Sequence, residues 1–297
     1  SVLAIQALVA LINQDKMCHY VTKNLAPREV YASKLKGHMK RNSIDNLFKS
    51  SGIYHSLNAN ELDVVLVDEA HRLNEKSGIF SNLGENQTKE LINAAKLAVF
   101  FIDERQRVNI KDAGSIADVE YYSDYYDADF KKMKLKSQFR CNGSDGYLAF
   151  IDDLLQIRDT ANYDGFDIDY EMLVIDNPND LYDIILEKNI NNKARILAGY
   201  CWDWDSSNRN NPDHYDIIIE EYDFKKSWNL GNTKTYILDE KSIEQVGCIH
   251  TSQGLELDYV GVIIGNDLRF ENEKIITDYT KRAKTDQSLK GINKIAK

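Results

Sequence analysis

The sequence predicts an α/β fold of two units, each a mainly parallel sheet flanked by helices, the first over 1–136 and the second over 137–297. Three observations lead there. Short apolar runs of β-formers recur, as in V-V-L-V at 64–67 and A-V-F-F-I at 98–102, with helical segments between them. That alternation is the signature of parallel strands joined by crossover helices. It starts afresh in the second half of the chain, after a tyrosine- and aspartate-rich stretch at 121–129. A length of 297 residues lets two such units each bury a core of their own.

The elements follow in order. S-V-L-A-I-Q-A-L-V-A-L-I at 1–12 is apolar on nearly every side, which predicts a buried helix. It has neither the basic region nor the cleavage site of a secretory leader. A strand over 18–21 and a helix over 26–40 come next, then a strand over 64–67, a helix over 86–95 and a strand over 98–102. Y-Y-S-D-Y-Y-D-A-D at 121–129 reads as a connector or an edge strand. In the second unit the expected elements are a helix over 146–155 and strands over 195–198, 246–249 and 259–264. The Asn-, Asp- and Trp-rich segment 202–235 reads as a long surface excursion.

Composition narrows the function classes. With 43% hydrophobic and 28% charged residues the chain is globular rather than disordered. No apolar run approaches the roughly 18 residues that a membrane-spanning helix needs. Cys18, Cys141, Cys201 and Cys248 are scattered with no C-x-x-C pair, which argues against a zinc site and for a reducing, cytoplasmic setting. A net charge of −10 means that any grip on nucleic acid has to be local. The basic clusters available are Lys34, Lys36, Lys40 and Arg41, and Lys131, Lys132, Lys134 and Lys136; each reads equally well as a solvated face.

Five segments carry chemistry. V-V-L-V-D-E-A-H at 64–71 ends a buried strand in two carboxylates, at the sheet edge where open α/β sheets bind ligands. Asp68 there suits a Mg²⁺ ion held through water, and Glu69 suits orienting or deprotonating an attacking water. The alternative is a solvated loop start. Ser1, at the head of a buried helix before a strand, suits the hydroxyl position that closes a phosphate-binding loop and touches Mg²⁺. A-V-F-F-I-D-E-R-Q-R at 98–107 brings Asp103 and Gln106 to the same edge, Gln106 as an uncharged γ-phosphate sensor or an exposed loop amide. L-K-S-Q-F-R-C at 135–141 offers Arg140 for phosphoryl charge and Phe139 for stacking on an adenine; the plainer reading is a buried Phe and a surface Arg. The fifth, 247–265, sets a polar loop from His250 to Asp258 between two apolar strands. In it Thr251 and Ser252 offer hydroxyls to a phosphodiester, Gly254 close backbone approach, and Glu256 an acceptor for a ribose hydroxyl.

The ordered set D-E-A-H-R-L, F-F-I-D-E-R-Q, Q-F-R-C and H-T-S-Q-G-L-E-L-D resembles the superfamily 1 helicase motor, a P-loop ATPase. More closely, the chain resembles the Schlafen group 3-like DNA/RNA helicase domain, a bacterial domain family of unknown function. G-E-N-Q at 84–87, A-G-Y-C-W-D-W at 198–204 and W-N-L at 228–230 carry that closer likeness. The resemblance implies two RecA-like lobes, ATP and Mg²⁺ as cofactors, and single-stranded DNA or RNA as partner. Carried over by position, it makes Ser1 and Asp68 the Mg²⁺ residues, Glu69 the water residue and Gln106 the γ-phosphate coupler. It gives Arg140 a reach to that phosphate from the second lobe. Thr22, Lys23, Asn24 and Thr251 would meet nucleic acid, and Gln253, Gly254 and Glu256 would sense nucleotide. On this likeness the sequence starts after the phosphate-loop lysine and stops before the family's last arginine motif, and turnover would require both. The competing readings are an ATP switch that binds nucleic acid without unwinding it, and a silent scaffold, which the acidic charge disfavours.

Overall fold

Strand β3 (Leu62–Asp68) is the axis of the first half of the chain, and its sequence says why. Side chains alternate across a strand, so Val65 and Val67 enter one core while Val64 and Leu66 enter another. A strand buried on both faces reads as a continuous apolar run, the mark of a central parallel strand. The computed structural model describes residues 2–78, 80–135, 145–165, 170–231 and 234–292. Ser1, Phe139, Arg140, Cys141 and the expected boundary near 136 lie outside them.

The first sheet has the order β2 (Phe48–Lys49), β1 (Cys18–Thr22), β3, β4 (Ala95–Phe100), and every pairing in it is parallel. On the face of Val64 and Leu66 lies α1 (Val2–Ile12), contributing Ala4 and Leu8. On the face of Val65 and Val67 lies α4 (Gln87–Ala94), contributing Leu91 and Ala94. The second sheet is β8 (Val246–Gly247), β5 (Ala194–Ala198), β9 (Tyr259–Ile263), again all parallel. Helix α6 (Asp145–Leu154) precedes this sheet in the chain, and α7 (Pro178–Glu187) packs on it through Ile185. Two antiparallel hairpins, β6 (Ile217–Ile219) with β7 (Phe224–Lys226) and β10 (Leu268–Glu271) with β11 (Lys274–Thr277), complete the strands described. The architecture is mixed α/β, with parallel sheets flanked by helices. Among the described residues no helix is long and apolar enough to cross a membrane.

Several expectations are corrected. Helix α1 is not covered all round: Val2, Leu3 and Val9 are exposed. The helix expected over 26–40 splits into α2 (Leu25–Leu35) and α3 (Arg41–Leu47), with Gly37 at φ 93° between them, a conformation that ends a helix. The first half of the tyrosine-rich stretch, to Tyr125, falls in a helix, α5 (Ile116–Tyr125), started by Ser115, whose side chain accepts the Asp118 amide at 2.9 Å. Nor is 202–235 only a surface excursion, since Ile217, Phe224 and Trp228 are buried in the core of the second sheet. Strand β8 is shorter than expected because a single helical turn, α8 (Ile249–Ser252), takes over. Strand β9 shows Tyr259, Val260 and Val262 to solvent, so the polar loop does not run between two buried strands.

Candidate functional site

Parallel strands end on the same side of a sheet, and register fixes which ends are neighbours. Thr22 closes β1 opposite Asp68, which closes β3. The segment Thr22–Lys23–Asn24 and the pair Asp68–Glu69 therefore stand side by side at the C-terminal edge. Asp68 is buried, and the Tyr20 hydroxyl donates to its Oδ2 at 2.5 Å. Burial, then the Asp68 charge, pushes the Tyr20 phenol far above its ordinary range, so it stays a donor. Glu69 turns the chain at φ 54°, in the left-handed region that costs a non-glycine residue about 1 kcal/mol. The next residues, Ala70–Arg72, form a short 3₁₀ turn.

A residue from the second half of the chain meets this turn. Gln253, just after α8, accepts Arg72 Nη1 on its Oε1 at 2.6 Å and donates its Nε2 to Glu69 Oε2 at 3.3 Å. An amide can do both because it carries one acceptor and two donors on one plane. On the other side of Glu69, His71 Nε2 lies 3.2 Å from the same oxygen. His71 Nδ1 accepts the Asp103 amide at 3.3 Å, while Nε2, though close to Glu69, is buried without a hydrogen-bond partner. Gly254 follows at φ 83°; a Cβ there would stand 3.1 Å from Pro27 Cγ of α2, so glycine permits this close approach.

Beneath lies a buried ion cluster. Asp112 accepts Lys23 Nζ at 2.7 Å, Arg72 Nε at 3.4 Å and the amides of Val108 and Asn109 at 3.0 and 2.9 Å. Burial alone would raise the Asp112 carboxyl, but Lys23 and these amides outweigh it and hold it below the usual carboxylate range. Burial draws the Lys23 ammonium down despite Asp112. Arg72 Nη1 also donates to Asn24 Oδ1. A cavity of about 300 Å³ opens beside the cluster, walled by Lys23, Asn24 and Arg72 on one side and Tyr200, Trp204 and His250 on the other. Burial, then the Arg72 charge, lowers the His250 imidazole below its ordinary value.

The whole chain, residues 1–297, matches the family described as Schlafen group 3, DNA/RNA helicase domain. The chain belongs to that family. By its description this is a helicase-type domain, with nucleic acid as the class of partner implied. The chain is also 27% identical, over 233 residues, to a protein of Saccharomyces cerevisiae whose printed name is simply uncharacterized. That match takes in 70% of this chain and 50% of the yeast protein, so the chain spans about half the length of the curated relative. No solved structure matches it.

In this Schlafen group 3 domain the residues singled out from sequence fall into three sets. Asp68, Glu69, Lys23, Asn24 and Gln253 converge as described. Thr22 is buried with its hydroxyl accepting the Asn24 amide at 3.3 Å, and Thr251 is tied to the Cys248 backbone at 3.0 and 2.8 Å while lining the cavity. Gln106 is exposed and donates to Asp103 Oδ2 at 2.9 Å within its own turn, and Glu256 is exposed beyond Gly254. Among the described residues no three His, Cys, Asp or Glu side chains gather as a metal cage. One buried carboxylate at a sheet edge still fits a Mg²⁺ held mainly through water and phosphate oxygens. Sequence reasoning gave no role to Tyr20, Arg72 or Asp112. Arg72 sat inside the D-E-A-H-R-L motif and was open to notice; Asp112, forty positions on, becomes its partner only in the fold.

Proposed function

We propose that this domain is the motor part of an ATP-dependent DNA or RNA helicase or translocase, with its two sheets as the cores of two RecA-like lobes over 1–136 and 137–297. One observation carries the reading: Gln253, from the second half, bonds at once to Glu69 and to Arg72 at the C-terminal edge of the first sheet. An interlobe polar bridge on a carboxylate beside a second, buried carboxylate is what a motor needs to make chemistry depend on lobe position.

ATP with Mg²⁺ supplies the transferable phosphoryl group and its charge neutralisation. Asp68, with the Ser1 hydroxyl, would hold the ion. Glu69 orients the attacking water and accepts its proton, with the Gln253 amide donating to the same carboxylate and His71 Nε2 3.2 Å from it. Gln253 releases Glu69 when the lobes rearrange, and that exchange of partners couples turnover to movement along a strand. Arg140 and Phe139 serve the phosphate and the adenine from the second lobe, Gln106 reports the γ-phosphate, and Gly254 and Glu256 complete the nucleotide-sensing loop. Lys23, Asn24 and Thr251 would serve the strand side, with Thr22 buried behind Asn24.

A second reading, an ATP switch that binds nucleic acid without unwinding, has one observation in its favour. Asp112 neutralises Lys23 and Arg72, and the net charge of −10 leaves little general attraction for phosphates. Phosphate release by the full-length protein, with and without single-stranded DNA or RNA, tests both. Strand-stimulated release is expected, and no release under any condition would contradict both readings. Strand displacement then separates a helicase from a switch.

A further inference from the structure

Buried polar atoms in folded proteins nearly always have partners, because an unpaired one costs about 1–3 kcal/mol. Among the described residues five buried side-chain atoms are exceptions, and three of them cluster. His71 Nε2 and Glu90 Oε2 belong to residues elsewhere, whereas Asn24, Trp204 and Asn229, unpartnered at Nδ2, Nε1 and Oδ1, all line the cavity of about 300 Å³ described above. Asn24 is 7% exposed, and its Oδ1 is already taken by Arg72, which fixes the amide with its donor end unspent. Two donors and one acceptor are thus held ready in a hollow that also has the aromatic rings of Tyr200 and Trp204 in its wall. The volume is at the small end of ligand sites, of order 300–1,000 Å³. Asp68 and Glu69 do not line it.

We propose that this cavity receives one unstacked nucleobase from a single strand. A base fits on three counts: it is flat enough for the aromatic wall, it carries acceptors and donors on one edge, and its sugar and phosphate would extend toward the cations at the rim. Of these, Lys23 is already paired with Asp112 at 2.7 Å, while Lys234 is only loosely engaged, at 3.7 Å from Glu29. The charge of the chain points the same way. With −10 overall, phosphate attraction is weak, and short-range stacking and hydrogen bonding must carry more of the affinity. A triphosphate bound here would lie away from Asp68 and Glu69, which do not line the cavity. The inference rests on the nucleic-acid part of the proposed function and adds to it a grip on the base itself.

The test uses the full-length protein, a fluorescently labelled single-stranded oligonucleotide, and a strand of equal length made wholly of abasic sugar-phosphate units. Trp204→Phe keeps an aromatic ring in the wall, smaller than the indole, and removes the unpaired Nε1–H. The expected result is roughly tenfold weaker binding of the intact strand by Trp204→Phe, with the salt dependence unchanged and no effect on the abasic strand. Asn229→Ala should repeat that pattern. An equal effect on both strands would mean general damage and overturn the pocket, as would no effect on either. Competition by free mononucleotide as strong as by the oligonucleotide would make the cavity a nucleotide site and also overturn it. In all three cases strand-stimulated ATP turnover would remain and the proposed function would stand. Failure to bind any strand, with turnover intact, would remove the pocket and the nucleic-acid reading together.

Discussion

Asp112 is the residue on which the local electrostatics turn. Its side chain is fully buried, and it compensates two cations that are themselves largely withdrawn from water. Removing one partner of a buried pair leaves the others unpaired, which costs about 3–5 kcal/mol. Asp112→Asn should therefore lower the unfolding free energy by about 3 kcal/mol in urea titrations near neutral pH. The pH dependence has a definite sign. The folded state holds this carboxyl below its ordinary value, so its contribution is complete above the unfolded carboxylate range, about pH 4. It is lost as the pH falls further, through the folded value, and Asp112→Asn should lack that part of the acid destabilisation. At this scale the sequence was only half legible. Asp68 and Glu69 announced themselves as carboxylates ending an apolar strand. Tyr20 and Asp112 did not, because their roles arise from partners 48 and 40 positions away.

Among the elements, those with strong periodicity were the readable ones. Strand β3 was expected from four apolar β-formers and extends over seven residues; β1 and β5 lie where alternation placed them, while β4 starts three residues early and ends at Phe100. What failed was capping and context. Tyrosine has strand propensity, but Ser115 supplies a helix cap and the stretch after it coils. Trp228 looked like part of a polar excursion, yet its indole donates to the Gly247 carbonyl at 3.1 Å from within the core. The capping logic can be tested on α4, where Asn86 accepts the amides of Thr88 and Lys89 at 2.8 and 3.2 Å. Asn86→Ala should cost about 1 kcal/mol, read as a lower urea midpoint at unchanged slope. A loss within error would mean that tertiary packing alone holds this helix.

For the whole molecule, the question is whether the two halves communicate. The bridge from Gln253 to Glu69 and Arg72 was not foreseen as a contact, although the sequence had placed Gln253 in a sensing loop and Glu69 at the chemistry. What the fold adds is the direct bond, between residues 184 positions apart. If that amide transmits strand binding to the catalytic carboxylate, Gln253→Ala should abolish most of the stimulation of phosphate release by single strands. Stimulation equal to wild type would place the coupling elsewhere.

The most direct measurement is steady-state phosphate release by full-length Glu69→Gln, with nucleotide affinity determined on the same preparation. The amide keeps the size of the side chain and can still bond to Gln253, but it cannot take a proton from water. Turnover should fall by about 100-fold or more while nucleotide affinity stays within a few-fold. Turnover within a few-fold of wild type, about 1 kcal/mol of barrier or less, would contradict the account and remove Glu69 from the catalytic role.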